Sequence, residues 1–170
     1  MSQALPETVD PWRMVQARRH FEGTLRLAAM PRLAADLAAP EGGARFDLEF
    51  GTDEFGVAYL HLRAEAALPL TCQRSLDVFA LPVRIDTRLG LITQEADEAA
   101  LPPGYEPLLV SDGVLRPADV IEDELILALP LVPVKPGSTH IERSWGDESD
   151  AAVDDQPNPF AALEKMKGSR

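Results

Sequence analysis

The chain has a single cysteine, Cys72, in the stretch LTCQRSLDVF (residues 70–79). Arg74 follows two positions later and Ser75 three positions later. A second cysteine in place of Ser75 would make a Cys-x-x-Cys pair, which signals a metal or redox site. Here one sulfur is missing. A lone Cys72 could be a nucleophile if a cation lowered its pKa and a base stood beside it. Arg74 offers the cation, and His61 offers a base on the preceding strand. Nothing in the spacing forces the three together, and the plain reading is a half-buried thiol at a strand end. Zinc wants about four ligands. His20, His61 and His140 are scattered, so neither a metal nor any other cofactor is expected. The triplet Glu122-Asp123-Glu124 could suggest acid–base work or magnesium. On a helix, however, successive side chains diverge and cannot converge on one point. Glu122 and Glu124 therefore read as rim residues that pair with arginine, Arg74 first. Gly42-Gly43 is too short to cradle a phosphate. No catalytic residue is assigned.

These side chains sit in a chain of 170 residues with 45% hydrophobic content and a formal charge of −12. That is about one domain, with enough apolar content for a core. The negative charge opposes wrapping a nucleic-acid backbone and suits a basic partner. One cysteine excludes an internal disulfide and fits a reducing compartment. No run of about 18 apolar residues is present, so no transmembrane helix is expected. The opening MSQALPETVDPW lacks a basic stretch followed by an apolar one. The expected location is the cytoplasm.

Residues 1–19 are polar and carry Arg13, Arg18 and Arg19; they read as a solvated arm. Strands are expected at about 20–28, 44–50, 57–66 and across Val83–Leu91, where apolar and charged residues alternate. Short linkers and one wet face imply an antiparallel meander. A short helix is expected over 30–39, ended by Pro40 and the glycines. Glu95–Glu98 reads as loop. Leu108-Leu109-Val110 and Val114-Leu115 flank Ser111-Asp112-Gly113, a hairpin signal. Pro117–Leu129 is the strongest helix, with Ala118, Ile121, Leu125 and Ala128 as its apolar stripe. Residues 136–157 have no apolar period and read as an acidic, flexible linker. Asn158 and Pro159 then start a short terminal helix over 158–168, with Phe160, Leu163 and Met166 on one stripe.

Four segments together resemble the YceD family, the large ribosomal RNA subunit accumulation proteins. They are LTCQRSLDVF (70–79), LPPGYEPL (101–108), VIEDELILALPLVPVK (120–135) and PNPFAALEKMK (157–167). The family's first motif usually reads Cys-x-Arg-Cys; Ser75 replaces the second cysteine here, and Lys135 stands where a histidine often follows. The resemblance implies a bacterial-type cytoplasmic factor needed for accumulation of large-subunit ribosomal RNA. Family genes often sit beside the gene for a small, basic, zinc-ribbon ribosomal protein.

The combined expectation is an α+β core domain over 20–135, built on an antiparallel sheet meander with a packed helix. The acidic linker and the terminal helical motif follow it. The expected function is a non-enzymatic ribosome-biogenesis factor. It would contact a ribosomal protein or a large-subunit assembly intermediate through Cys72, Gln73, Arg74, Glu122, Glu124, Asn158, Pro159, Phe160, Leu163 and Met166, with any association with ribosomal RNA indirect. No small-molecule substrate and no membrane are expected. Behind this stand an RNA-binding accessory factor using Arg13, Arg18, Arg19 and Arg74, and a thiol enzyme at Cys72.

Overall fold

Period-two alternation governs the centre of the chain in the computed structural model, which describes residues 5–137. Four strands follow one another as an antiparallel meander: β1 (His20–Arg26), β2 (Gly43–Thr52), β3 (Ala58–Thr71) and β4 (Val78–Ile92). The β2–β3 turn is tied by Asp53, whose Oδ1 accepts the N–H groups of Phe55 (2.9 Å) and Val57 (2.8 Å). Gly56 supplies the positive φ of 83° that closes it.

The expected meander needs one correction. A fifth strand, β5 (Glu106–Leu109), joins the edge of β4 in parallel, so the sheet is mixed, in the order β1-β2-β3-β4-β5. The expected 108–115 hairpin does not form. Gly113 does adopt a positive φ of 70°, but Leu115 pairs with Val9 instead of the 108–110 segment. A turn signal fixes local backbone geometry, and the partner of the outgoing chain is chosen by distant residues. The stretch Glu95–Glu98, read as loop, lies in a 3-10 helix over Glu95–Ala100.

Residues 5–19 are not a solvated arm. Helix α1 (Pro11–Gln16) is capped by Asp10, whose carboxylate accepts the N–H groups of Trp12 at 3.0 Å and Arg13 at 3.2 Å. Val9, Pro11 and Val15 are buried. Six helical residues are too few to display a period in the sequence. Helix α2 (Pro31–Asp36) is shorter than expected, because Leu37 turns extended and Ala38 donates its N–H to the Pro69 carbonyl at 2.8 Å. Helix α3 (Pro117–Leu127) ends close to the expected place. Its buried side chains are Pro117, Val120, Ile121, Glu122 and Leu125, so the stripe is rotated from the one expected.

All three helices serve the apolar face of the sheet: α1 packs on β2 and β3, α3 packs on β4, and α2 packs on α3. Leu48, Leu60, Leu62, Leu68, Ile121 and Leu125 are fully buried there, each contributing about 1.5–3 kcal/mol of transfer free energy. The other face is a grid of charges. Cross-strand register sets Thr24, Arg45, Glu65 and Arg84 in one row, and Glu22, Asp47, Arg63 and Asp86 in the next. No described helix is long and apolar enough to cross a membrane.

Candidate functional site

Two of the segments singled out in the sequence meet in space. The chain reverses between β3 and β4 through Cys72–Asp77, where Cys72 N–H donates to the Asp77 carbonyl (2.8 Å) and Leu76 N–H to the Cys72 carbonyl (2.9 Å). The segment after α3 runs back along this turn. Gln73 N–H donates to the Pro133 carbonyl at 2.9 Å, and Lys135 N–H donates to Cys72 Sγ at 3.3 Å. The Lys135 ammonium lies 3.9 Å from Asp77. Cys72 is buried, not half-buried as expected. The Ser75 hydroxyl first, then the Lys135 and Ser75 N–H groups, favour the thiolate, and they outweigh burial to bring its pKa from 9.0 down to about 6.

The turn also exposes apolar surface. Leu76 is left-handed, with φ 63°, and 76% exposed. Val78, Leu131 and Val132 are exposed too. Arg74 points into solvent and forms no ion pair with Glu122 or Glu124.

Glu122 is a buried structural carboxylate rather than a rim residue. Met30, at the N-cap of α2, has no side chain that accepts a hydrogen bond, so the first turn of α2 needs an acceptor from elsewhere. Glu122 supplies it from α3. Its Oε1 accepts the N–H groups of Arg32 at 2.7 Å and Leu33 at 3.0 Å, and its Oε2 takes the Arg32 guanidinium at 3.1 Å. The same guanidinium reaches Asp123. The sequence reading missed Arg32; an uncapped helix start was the available signal. Glu124 is half-buried. Burial first, then the negative charges of Glu106 and Asp123, hold its carboxyl above the usual range.

The remaining candidates are kept apart. His61 lies on the same strand as the Cys72 turn, roughly 35 Å away along β3 at strand rise, and its Nε2 is bonded to Asp86 at 2.7 Å. It cannot serve Cys72 as a base. Arg19 lies near that same far end of β3, because Phe50, opposite Leu60, donates its N–H to the Arg19 carbonyl at 2.9 Å. Arg19 and Arg74 therefore do not form one basic patch. His20, Glu22 and Asp47 place one possible ligand atom each within 4.8 Å of one another. Both Asp47 oxygens are already engaged, one by His20 at 2.9 Å and one by Arg63 at 2.8 Å, so an entering cation would compete with these contacts. His140, Asn158, Pro159, Phe160, Leu163 and Met166 lie outside the described residues.

The family model described as large ribosomal RNA subunit accumulation protein YceD matches residues 60–167. The chain belongs to the YceD family. The matched span holds most of β3, all of β4, β5 and α3, and the contact between the Cys72 turn and Lys135. Arg32 lies before it and Glu122 within it, so the clamp on α2 joins the YceD-matched part to the part preceding it. A large ribosomal RNA subunit accumulation protein YceD from Haemophilus influenzae (strain ATCC 51907 / DSM 11121 / KW20 / Rd) is 29% identical over 168 residues, covering 96% of each chain. No solved structure matches this YceD-family chain at a significant level.

Proposed function

We propose that this chain is a non-enzymatic cytoplasmic factor that promotes accumulation of large-subunit ribosomal RNA through contacts with a basic ribosomal protein or an assembly intermediate containing one. The observation that carries this reading is the family match over residues 60–167. The formal charge of −12 supports a cationic protein as the contact, because it accelerates encounter with such a partner and opposes direct binding to RNA. The exposed apolar residues around the Cys72 turn, together with Gln73 and Arg74, are one contact surface. Phe160, Leu163 and Met166 are a second, read from their spacing of three residues, which suits an anchor in a partner's groove.

The test is genetic and biochemical. A strain lacking the gene should under-accumulate large-subunit ribosomal RNA relative to small-subunit RNA, and the full chain should restore the ratio. The chain truncated before residue 156 should still unfold cooperatively but fail to restore it. A normal ratio in the deletion strain overturns the function. Full rescue by the truncated chain overturns the role given to the terminal motif.

A further inference from the structure

The charge grid on the open sheet face is largely self-compensated: Arg63 and His20 hold Asp47, Arg84 holds Glu65, and His61 holds Asp86. The opposite edge of the molecule differs. Between β5, the loop after it and the first half of α3 lies an open cavity of about 470 Å³. Leu108, Leu115 and Val120 form its apolar floor, and Val114, 52% exposed, stands at its side. Asp112, Asp119 and Asp123 line it against a single guanidinium, that of Arg116. Asp123 also shares Arg32 with Glu122, but among the described residues Asp112 and Asp119 have no ion pair. The excess negative charge continues past the rim. Burial first, then the charges of Glu106 and Asp123, make the Glu124 carboxyl hold its proton more tightly than an ordinary glutamate.

An apolar floor under an acidic rim selects a ligand carrying both features. Apolar area drives burial, and exposed carboxylates gathered at its rim attract a cation beside it. RNA supplies the wrong charge, and an acidic or neutral apolar segment would leave the rim uncompensated. We propose that this cleft docks a lysine- or arginine-bearing segment of a protein partner, which places an aliphatic side chain on Leu108, Leu115 and Val120 while its cations meet Asp112 and Asp119. This locates the contact within the function proposed above and rests on that reading for the identity of the partner. The β5 edge limits the binding mode. Pro107 offers no N–H, so a partner gains little from extending the sheet and must bind mainly through side chains.

The test uses the full chain and short fluorescein-labelled peptides, read by fluorescence anisotropy. A peptide of Lys-Leu-Lys-Gly repeats is compared with its Glu-Leu-Glu-Gly counterpart and with a leucine-free Lys-Gly-Lys-Gly peptide. The lysine–leucine peptide should bind, the glutamate peptide should not, and the leucine-free peptide should bind more weakly. Asp112→Asn combined with Asp119→Asn should weaken the first peptide about ten-fold, equivalent to about 1.4 kcal/mol. A charge-matched control, Glu22→Gln with Glu49→Gln on β1 and β2 at the other edge of the sheet, should change it less than about two-fold, on the order of 0.4 kcal/mol. Val114→Ser should weaken the lysine–leucine peptide and leave the leucine-free one unchanged. Equal losses in the rim pair and in the control would show that net charge alone is acting and would overturn the cleft. The same variants separate the two proposals in cells. If the wild-type chain restores ribosomal RNA and the rim pair restores it equally, the cleft falls and the function stands. If the wild-type chain restores nothing, the function falls while the peptide result still decides the cleft.

Discussion

Arg32 and Glu122, separated by 90 positions in sequence, are held together by both backbone and side-chain bonds. The Glu122 carboxylate closes the first turn of α2 and neutralises the guanidinium beside it. This joins α2 to α3 through polar bonds as well as through packing.

Glu122→Ala strands the N–H groups of Arg32 and Leu33 and takes one partner from the half-exposed Arg32 guanidinium. It should cost about 2–4 kcal/mol, because each stranded N–H costs about 1–3 kcal/mol. Arg32→Ala should cost less, because the backbone bonds to Glu122 survive and the guanidinium is half exposed. Urea denaturation followed by circular dichroism checks both. A loss under about 1 kcal/mol for Glu122→Ala would return this residue to the surface.

Glu124→Gln should leave stability unchanged or raise it by about 0–1 kcal/mol at neutral pH. Burial and the neighbouring acids raise its folded pKa, so its charged form weakens the fold. The favourable contribution of this group is present at low pH and is lost as pH rises through the raised pKa. The gain from the substitution should therefore vanish in acid, which paired denaturation series at neutral and acidic pH would show.

Cys72 should titrate near pH 6, followed by thiolate absorbance in the ultraviolet. A folded pKa below the ordinary thiol value makes the folded chain gain stability as pH rises from about 6 toward 9.0. That gain is lost as pH falls through the folded value. Ser75→Ala, removing the largest cause, should move the midpoint upward. An unchanged midpoint would mean that the backbone N–H groups alone hold the thiolate.

Leu76→Gly should not destabilise the chain, and up to about 1 kcal/mol of gain is expected. The side chain is exposed, and an L-residue at φ 63° costs roughly that much in steric strain. If the Cys72 turn is a contact surface, the same variant should restore ribosomal RNA poorly in cells despite its normal stability. Full rescue would remove Leu76 from that surface.

The alternating strands were legible because each has one wet face, which writes period two directly into the sequence. Arg45, Asp47 and Glu49 against Phe46, Leu48 and Phe50 is the clearest case. Helix α3 was legible from its prolines, but its buried face was not, since Glu122 reads as polar while its environment is apolar. Helix α1 was hidden by its length. β5 was seen as an apolar run, but its parallel pairing depends on a connection that no local pattern encodes. At the candidate surface, the sequence located the Cys72 turn. It could not show that Lys135 would lie against it, because that contact is made across 63 positions.

The sheet order, in which every strand neighbours the next one in sequence, bears on how the chain acquires its shape during synthesis. Each of β2, β3 and β4 can pair with a strand already made, so most contacts close over short loops and form quickly. The longest closures join Val9 to Leu115 and Arg32 to Glu122. Both bind early elements to late ones, so the first waits for Leu115 and the second for α3. Such late contacts are expected to be absent from the folding transition state. Variants at Val9, Arg32 or Glu122 should then speed unfolding while leaving the folding rate nearly untouched.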